Sequence, residues 1–129
     1  MMKSQAGIEF LIYLSIIIIL LDVFLYSSFS TNYQLISRKV ESELEEIASA
    51  AVFELNSAVR GGDGYERRFN MKEYSPTIRE FNITIHGNII EVEANNKHYY
   101  AFAATNNING NFTKEWNIIR NVDGVIYVN

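Results

Sequence analysis

The sequence predicts an α+β protein. A long N-terminal helix, apolar in its first half and amphipathic in its second, packs on a small antiparallel β-sheet head of about five strands. Three observations carry this. From Ala6 to Tyr26 nearly every side chain is apolar. From Leu35 to Val59 apolar residues recur every three or four positions, the period of a helix with one buried face. Beyond Gly64 the period shortens to two, as in half-buried strands.

The first element is set by its uniform greasiness. Only Glu9, Ser15 and Asp22 interrupt the run seriously. As a helix it is roughly 30 Å long at about 1.5 Å per residue, the thickness of a bilayer's hydrocarbon core. Ile16 to Ile19, Leu20 and Leu21 leave no aqueous face, so the segment belongs in lipid or among like helices. A carboxylate at Glu9 is costly unless it reaches the headgroup boundary, where the helix dipole favours it, or finds a cation. Asp22 lies about 20 Å further along the helix. It reads as an outer-interface residue or as a polar contact between packed helices.

Lys3, Ser4, Gln5 and Glu9 together resemble the processing site of an archaeal type IV prepilin with a class III signal peptide, Gln-x-Ser-x-Glu-x-x-x-Leu. Gly7 stands where the pattern has Ser, Tyr13 where it has Leu (Leu14 is adjacent), and Ser4 where Gly is usual. The resemblance implies cleavage by a prepilin peptidase between Ser4 and Gln5, which divides the chain into a leader (1–4), a pilin-type helix (5–60, with 5–26 as the hydrophobic assembly segment) and an extracellular β-rich head (61–129). It implies that Glu9, fifth in the processed chain, neutralises the N-terminal amine of a neighbouring subunit. It also implies other copies of the chain and the membrane-bound assembly machinery as partners, and a filament at the cell surface as destination. A minor pilin or pseudopilin fits the same residues. So does a single-span membrane-anchored binding module. A conventional secretory signal, cut after the small-x-small run Ser28-Phe29-Ser30, is a further alternative. In these readings Lys3 stays cytoplasmic by the positive-inside tendency.

Composition narrows the function classes. A chain of 129 residues makes one compact unit plus the helix. Its formal net charge of −4 supplies no basic patch for nucleic acid. The absence of cysteine removes disulfides, thiolate metal sites and cysteine nucleophiles.

The second half of the helix follows from its stripe. Leu35, Ile36, Val40, Leu44, Ile47, Ala51, Leu55 and Val59 share one face, while Arg38, Lys39, Glu41, Glu43, Glu45 and Glu46 line the other as a solvated surface. Ser27 to Asn32 are weak helix formers, which predicts a bend or fray there. Gly61, Gly62 and Gly64 end the helix, because glycine supplies a left-handed cap.

In the head, Tyr65 to Pro76 reads as a loop. Phe81, Ile83 and Ile85 alternate with Asn82, Thr84 and His86, turn at Gly87-Asn88, and return through Ile90 and Val92. Asn95-Asn96 turns again into a strand from His98 to Ala104, whose aromatics read as core. Thr105 to Gly110 is a polar loop, and Trp116 to Ile119 lead through the hairpin signal Asp123-Gly124 into Val125 to Val128.

Two sequons, Asn82-Ile83-Thr84 and Asn111-Phe112-Thr113, mark Asn82 and Asn111 as candidate N-glycosylation sites on an outward-facing head. No catalytic set emerges and no cofactor is implied. A metal site would need His86 and His98 joined by Glu91 or Glu93 across the hairpin. The glycines at 61, 62 and 64 lack the Lys-Ser/Thr of a phosphate loop.

Overall fold

A computed structural model of the protein describes residues 2–129, with side chains from Gln5 onward. The chain forms α1 (Met2–Gly61), β1 (Glu66–Asn70), a 3-10 turn (Met71–Tyr74), β2 (Asn82–His86), β3 (Ile89–Ala94), β4 (Lys97–Phe102), β5 (Ile108–Gly110), β6 (Trp116–Val122) and β7 (Val125–Val128). It divides into two compact units, one ending at Arg38 and the other Lys39–Asn129.

The first unit is helix alone. α1 continues through Ser27 to Asn32, where a bend or fray was expected. Thr31 Oγ1 donates to the Ser27 carbonyl at 2.9 Å, so the hydroxyl is satisfied within the turn and does not compete with the helix. Ser15 does the same to the Leu11 carbonyl at 2.7 Å.

The second unit is α+β, with seven strands in two sheets where the sequence suggests about five in one. The first sheet has the order β1-β6-β7-β5 and the second β2-β3-β4. Both additions are short segments that periodicity does not reveal. Arg67 and Arg68 disguise β1, which lies in the expected loop and pairs antiparallel with β6. The Asn-rich stretch holds β5, a three-residue strand parallel to β7. The expected hairpins form at Gly87-Asn88, Asn95-Asn96 and Asp123-Gly124. Asn95, Asn96 and Asp123 adopt the positive φ that such tight turns demand.

One apolar core joins the C-terminal part of α1 to both sheets. Leu44, Ile47, Ala51 and Leu55 are buried on the helix, with Ile83, Ile90 and Val92 from the second sheet and Ile119, Ile126 and Val128 from the first. Of the expected stripe, Leu35, Ile36 and Val59 are exposed and Val40 is partly buried. Tyr99 packs on the core, whereas Tyr100 and Phe102, expected inside, are exposed because β4 shows alternate residues to solvent.

The end of α1 is tied down by a buried asparagine. Asn121 Nδ2 donates to the Ala58 carbonyl at 2.8 Å and its Oδ1 accepts from Gly124 N at 3.0 Å. One orphan carbonyl of the last helical turn is thereby paired, and the same side chain holds the β6–β7 turn.

Candidate functional site

The apolar segment of α1 is the first candidate. From Ile8 to Leu25 every large apolar side chain is exposed, with Phe24 at 67% and Leu20 at 63%. By length and composition α1 is able to cross a membrane. Its Ser15 hydroxyl is already spent on its own backbone, which removes an unsatisfied donor from an apolar environment.

Glu9 is exposed on this segment, and Gln5 Nε2 approaches its Oε1 at 3.4 Å. No cation among the described residues pairs with it. Glu9 and Gln5 are therefore brought together one turn apart, as the spacing requires. Asp22 is exposed on the same helix. The side chain of Ser4 lies outside the described residues; the backbones of Ser4 and Gln5 belong to α1.

The two sequons differ in their surroundings. Asn82 is exposed at the start of β2, an edge strand. Asn111 is exposed too, but it is built into the head: its Oδ1 accepts from Ile85 N at 2.9 Å, and its carbonyl accepts from Asn129 Nδ2 at 2.8 Å. Thr113 of that sequon donates its hydroxyl to the Trp116 carbonyl at 3.0 Å.

The histidines gather on the open face of the second sheet. His98 Nδ1 lies 2.9 Å from Glu91 Oε1, which also accepts from Tyr100 Oη at 3.0 Å. His86 Nε2 stands 3.8 Å from Glu91 Oε2. Hydrogen bonds from Tyr100 and His98 hold the Glu91 carboxyl below its usual range, and the bond to the Glu91 carboxylate pushes the Tyr100 phenol up. Each histidine meets a separate oxygen of Glu91, and His98 Nε2 also lies 3.9 Å from Glu93 Oε1. Among the described residues no group of three His, Asp or Glu side chains is placed to hold a metal ion.

Two carboxylates on α1 are buried, and sequence reading missed both. Glu43, expected on the solvated face with Glu41, Glu45 and Glu46, accepts from Thr77 N at 3.2 Å and Ile78 N at 2.9 Å. Burial pushes its carboxyl up, but hydrogen bonds from Thr77 and Ile78, with Lys39 nearby, hold it below the ordinary range. Glu54 is wholly buried and both its oxygens lack a hydrogen bond. Burial pushes its carboxyl up, opposed by the Arg67 guanidinium 3.4 Å away. The signal for both was spacing: Glu43 lies four residues before Ile47, and Glu54 three after Ala51, on the edge of the apolar stripe.

Comparison with protein-family models, curated proteins and solved structures finds no match.

Proposed function

We propose that the protein is a structural subunit of an extracellular filament of the type IV pilus kind. It is held in the cytoplasmic membrane by residues 5–26, cut between Ser4 and Gln5 by a prepilin peptidase, and assembled outside through the same helices. One observation carries the reading: a membrane-length apolar helix that buries none of its hydrophobic window within its own chain and carries near its start a carboxylate, Glu9, that meets no cation among the described residues. Such a surface is as well served by neighbouring helices as by lipid, so passing from membrane to fibre costs little. In the fibre the new N-terminal ammonium of a neighbouring subunit supplies a cation for Glu9. Each charge is costly in an apolar setting, and together they are tolerable.

The test is the pair Glu9→Ala and Glu9→Gln, expressed in the native cells. Assembly should be lost in both while the head still folds and reaches the membrane. Intact filaments in either variant contradict the proposal.

The core of the second unit lies entirely within Lys39–Asn129, which also suits a membrane-anchored module whose head binds a ligand as a monomer. In that case both Glu9 variants are displayed and active. On either reading the head faces outward, where Asn82 and Asn111 are candidate glycan acceptors.

A further inference from the structure

Each sheet of the head leaves one face open, and the two faces are chemically opposite. On the first sheet β6 exposes Trp116, Arg120 and Val122 while burying Asn117, Ile119 and Asn121. Arg68 stands opposite Ile118 in the β1–β6 ladder, and its guanidinium lies 4.7 Å from the centroid of the Trp116 ring. Beyond it a shallow groove of about 340 Å³ is lined by Ile118, Arg120, Val122, Tyr127 and Asn129. On the second sheet β4 exposes His98, Tyr100 and Phe102, with Phe102 at 65%. Opposite these three, in the same order, β3 places Glu93, Glu91 and Ile89.

Charge and spacing both match. The first face carries Arg68 and Arg120 against Glu66, which binds Arg120 at 2.8 Å, so Arg68 is its uncompensated cation. The second face carries Glu91, shared by His86, His98 and Tyr100, and the more open Glu93, whose Oε1 lies 3.9 Å from His98 Nε2. Arg68 sits level with Ile118, four residues before Val122 on β6; Glu93 sits level with His98, four residues before Phe102 on β4. Both intervals are about 13 Å at roughly 3.3 Å per residue.

We propose that these faces are the two halves of one contact between heads of neighbouring copies of this chain. Phe102 of one copy seats in the groove beside Val122 and Tyr127 of the next, and Glu93 of the first meets Arg68 of the second. The contact has an aromatic anchor in a pocket and a charge pair at its edge, the composition of energetic centres in interfaces. It joins unlike faces, so it propagates from copy to copy and does not close a dimer. The inference goes beyond the helix-driven assembly proposed above and takes from it only that copies stand side by side.

The absence of cysteine makes cross-linking a clean test. Full-length protein carrying Ile89→Cys, which stands opposite Phe102 and keeps that anchor, Val122→Cys or both is reconstituted densely in lipid vesicles and mildly oxidised, and Ile17→Cys reports helix contacts separately. Mixing the two single variants should give cross-linked dimers in about fivefold excess over either alone, and the double variant should give a ladder. Arg68→Glu should lower the yield about fivefold, the loss of one interfacial charge pair of roughly 1 kcal/mol, and adding Glu93→Arg should restore it. No excess in the mixture, dimers confined to the single-variant samples, or indifference to charge reversal overturns the proposal. Cross-linked helices beside silent heads overturn it and leave helix assembly standing; the converse result supports it and counts against the helix-driven reading.

Discussion

Glu54 and Arg67 face each other at 3.4 Å, with Glu54 wholly buried and Arg67 half exposed, and neither carboxylate oxygen of Glu54 accepts a hydrogen bond. This is an ion contact made on poor terms. The carboxylate loses its water and recovers a single imperfect partner, the situation in which desolvation outweighs attraction.

Glu54→Met should therefore stabilise the head by about 1–3 kcal/mol at pH 7, since an apolar side chain of similar length suits the surrounding core and Arg67 turns to solvent. The pH dependence has a definite sign. Glu54 binds its proton more tightly folded than unfolded, so the native protein loses stability as pH rises from the ordinary carboxyl value of 4.5 through the raised folded value. Denaturant midpoints measured from pH 4 to pH 8 should show that decline in the parent and a weaker one in Glu54→Met.

Glu43 works in the opposite sense. Its carboxylate receives the backbone N–H groups of Thr77 and Ile78 and titrates below 4.5 in the folded head. Its contribution is complete above 4.5 and is lost as pH falls through the lowered folded value. Glu43→Ala should cost about 2–4 kcal/mol, because the buried Ile78 N–H and the partly buried Thr77 N–H both lose a charged acceptor. Chemical denaturation at pH 7 checks the magnitude, and a repeat at pH 3 should show a smaller difference between the two proteins.

The two sequons should separate under mutation. Asn82→Gln touches no hydrogen bond of the fold and should leave the melting temperature within about 2 °C of the parent, as an ordinary surface change does. Asn111→Gln moves the oxygen that accepts from Ile85 N and should cost about 1–2 kcal/mol. Glycopeptide mapping of native material should find Asn82 occupied at least as fully as Asn111.

Gly110 marks the least tolerant glycine of the head. It holds φ of +99°, and a Cβ there would meet the Val128 carbonyl oxygen at 2.0 Å. Gly110→Ala should cost about 3 kcal/mol or more and part β5 from β7, because strained backbone and a fixed backbone clash add. Hydrogen exchange at the β5–β7 ladder reads this directly.

These sites show which parts of the fold sequence alone makes legible. Uniform apolarity reveals the N-terminal half of α1 and strict alternation reveals β2 and β3, because each pattern repeats over enough residues to exclude other periods; the β6–β7 hairpin is legible from its Asp123-Gly124 turn signal. Single substitutions within a pattern are harder to see. Arg67 on β1 and Glu54 on α1 are charged residues at inward positions, and each masks the other's reason: the pair exists only once helix and strand are side by side. β5 stays hidden because three residues carry no period. In the same way Glu9 stands out at once, one of two charges in a greasy run, whereas the contrast between Asn82 and Asn111 needed the bond from Ile85.

Prepilin-type processing is tested most simply by the identity of the first residue in protein isolated from its native cells, read by mass spectrometry of the N-terminal peptide. The expected result is a chain that starts at Gln5, with Glu9 fifth and poised to pair with a neighbour's terminal amine. A chain that starts at Met1 contradicts it and leaves a plain membrane anchor; a chain that starts at Thr31 contradicts it more deeply, since the helix proposed to build the fibre would be gone.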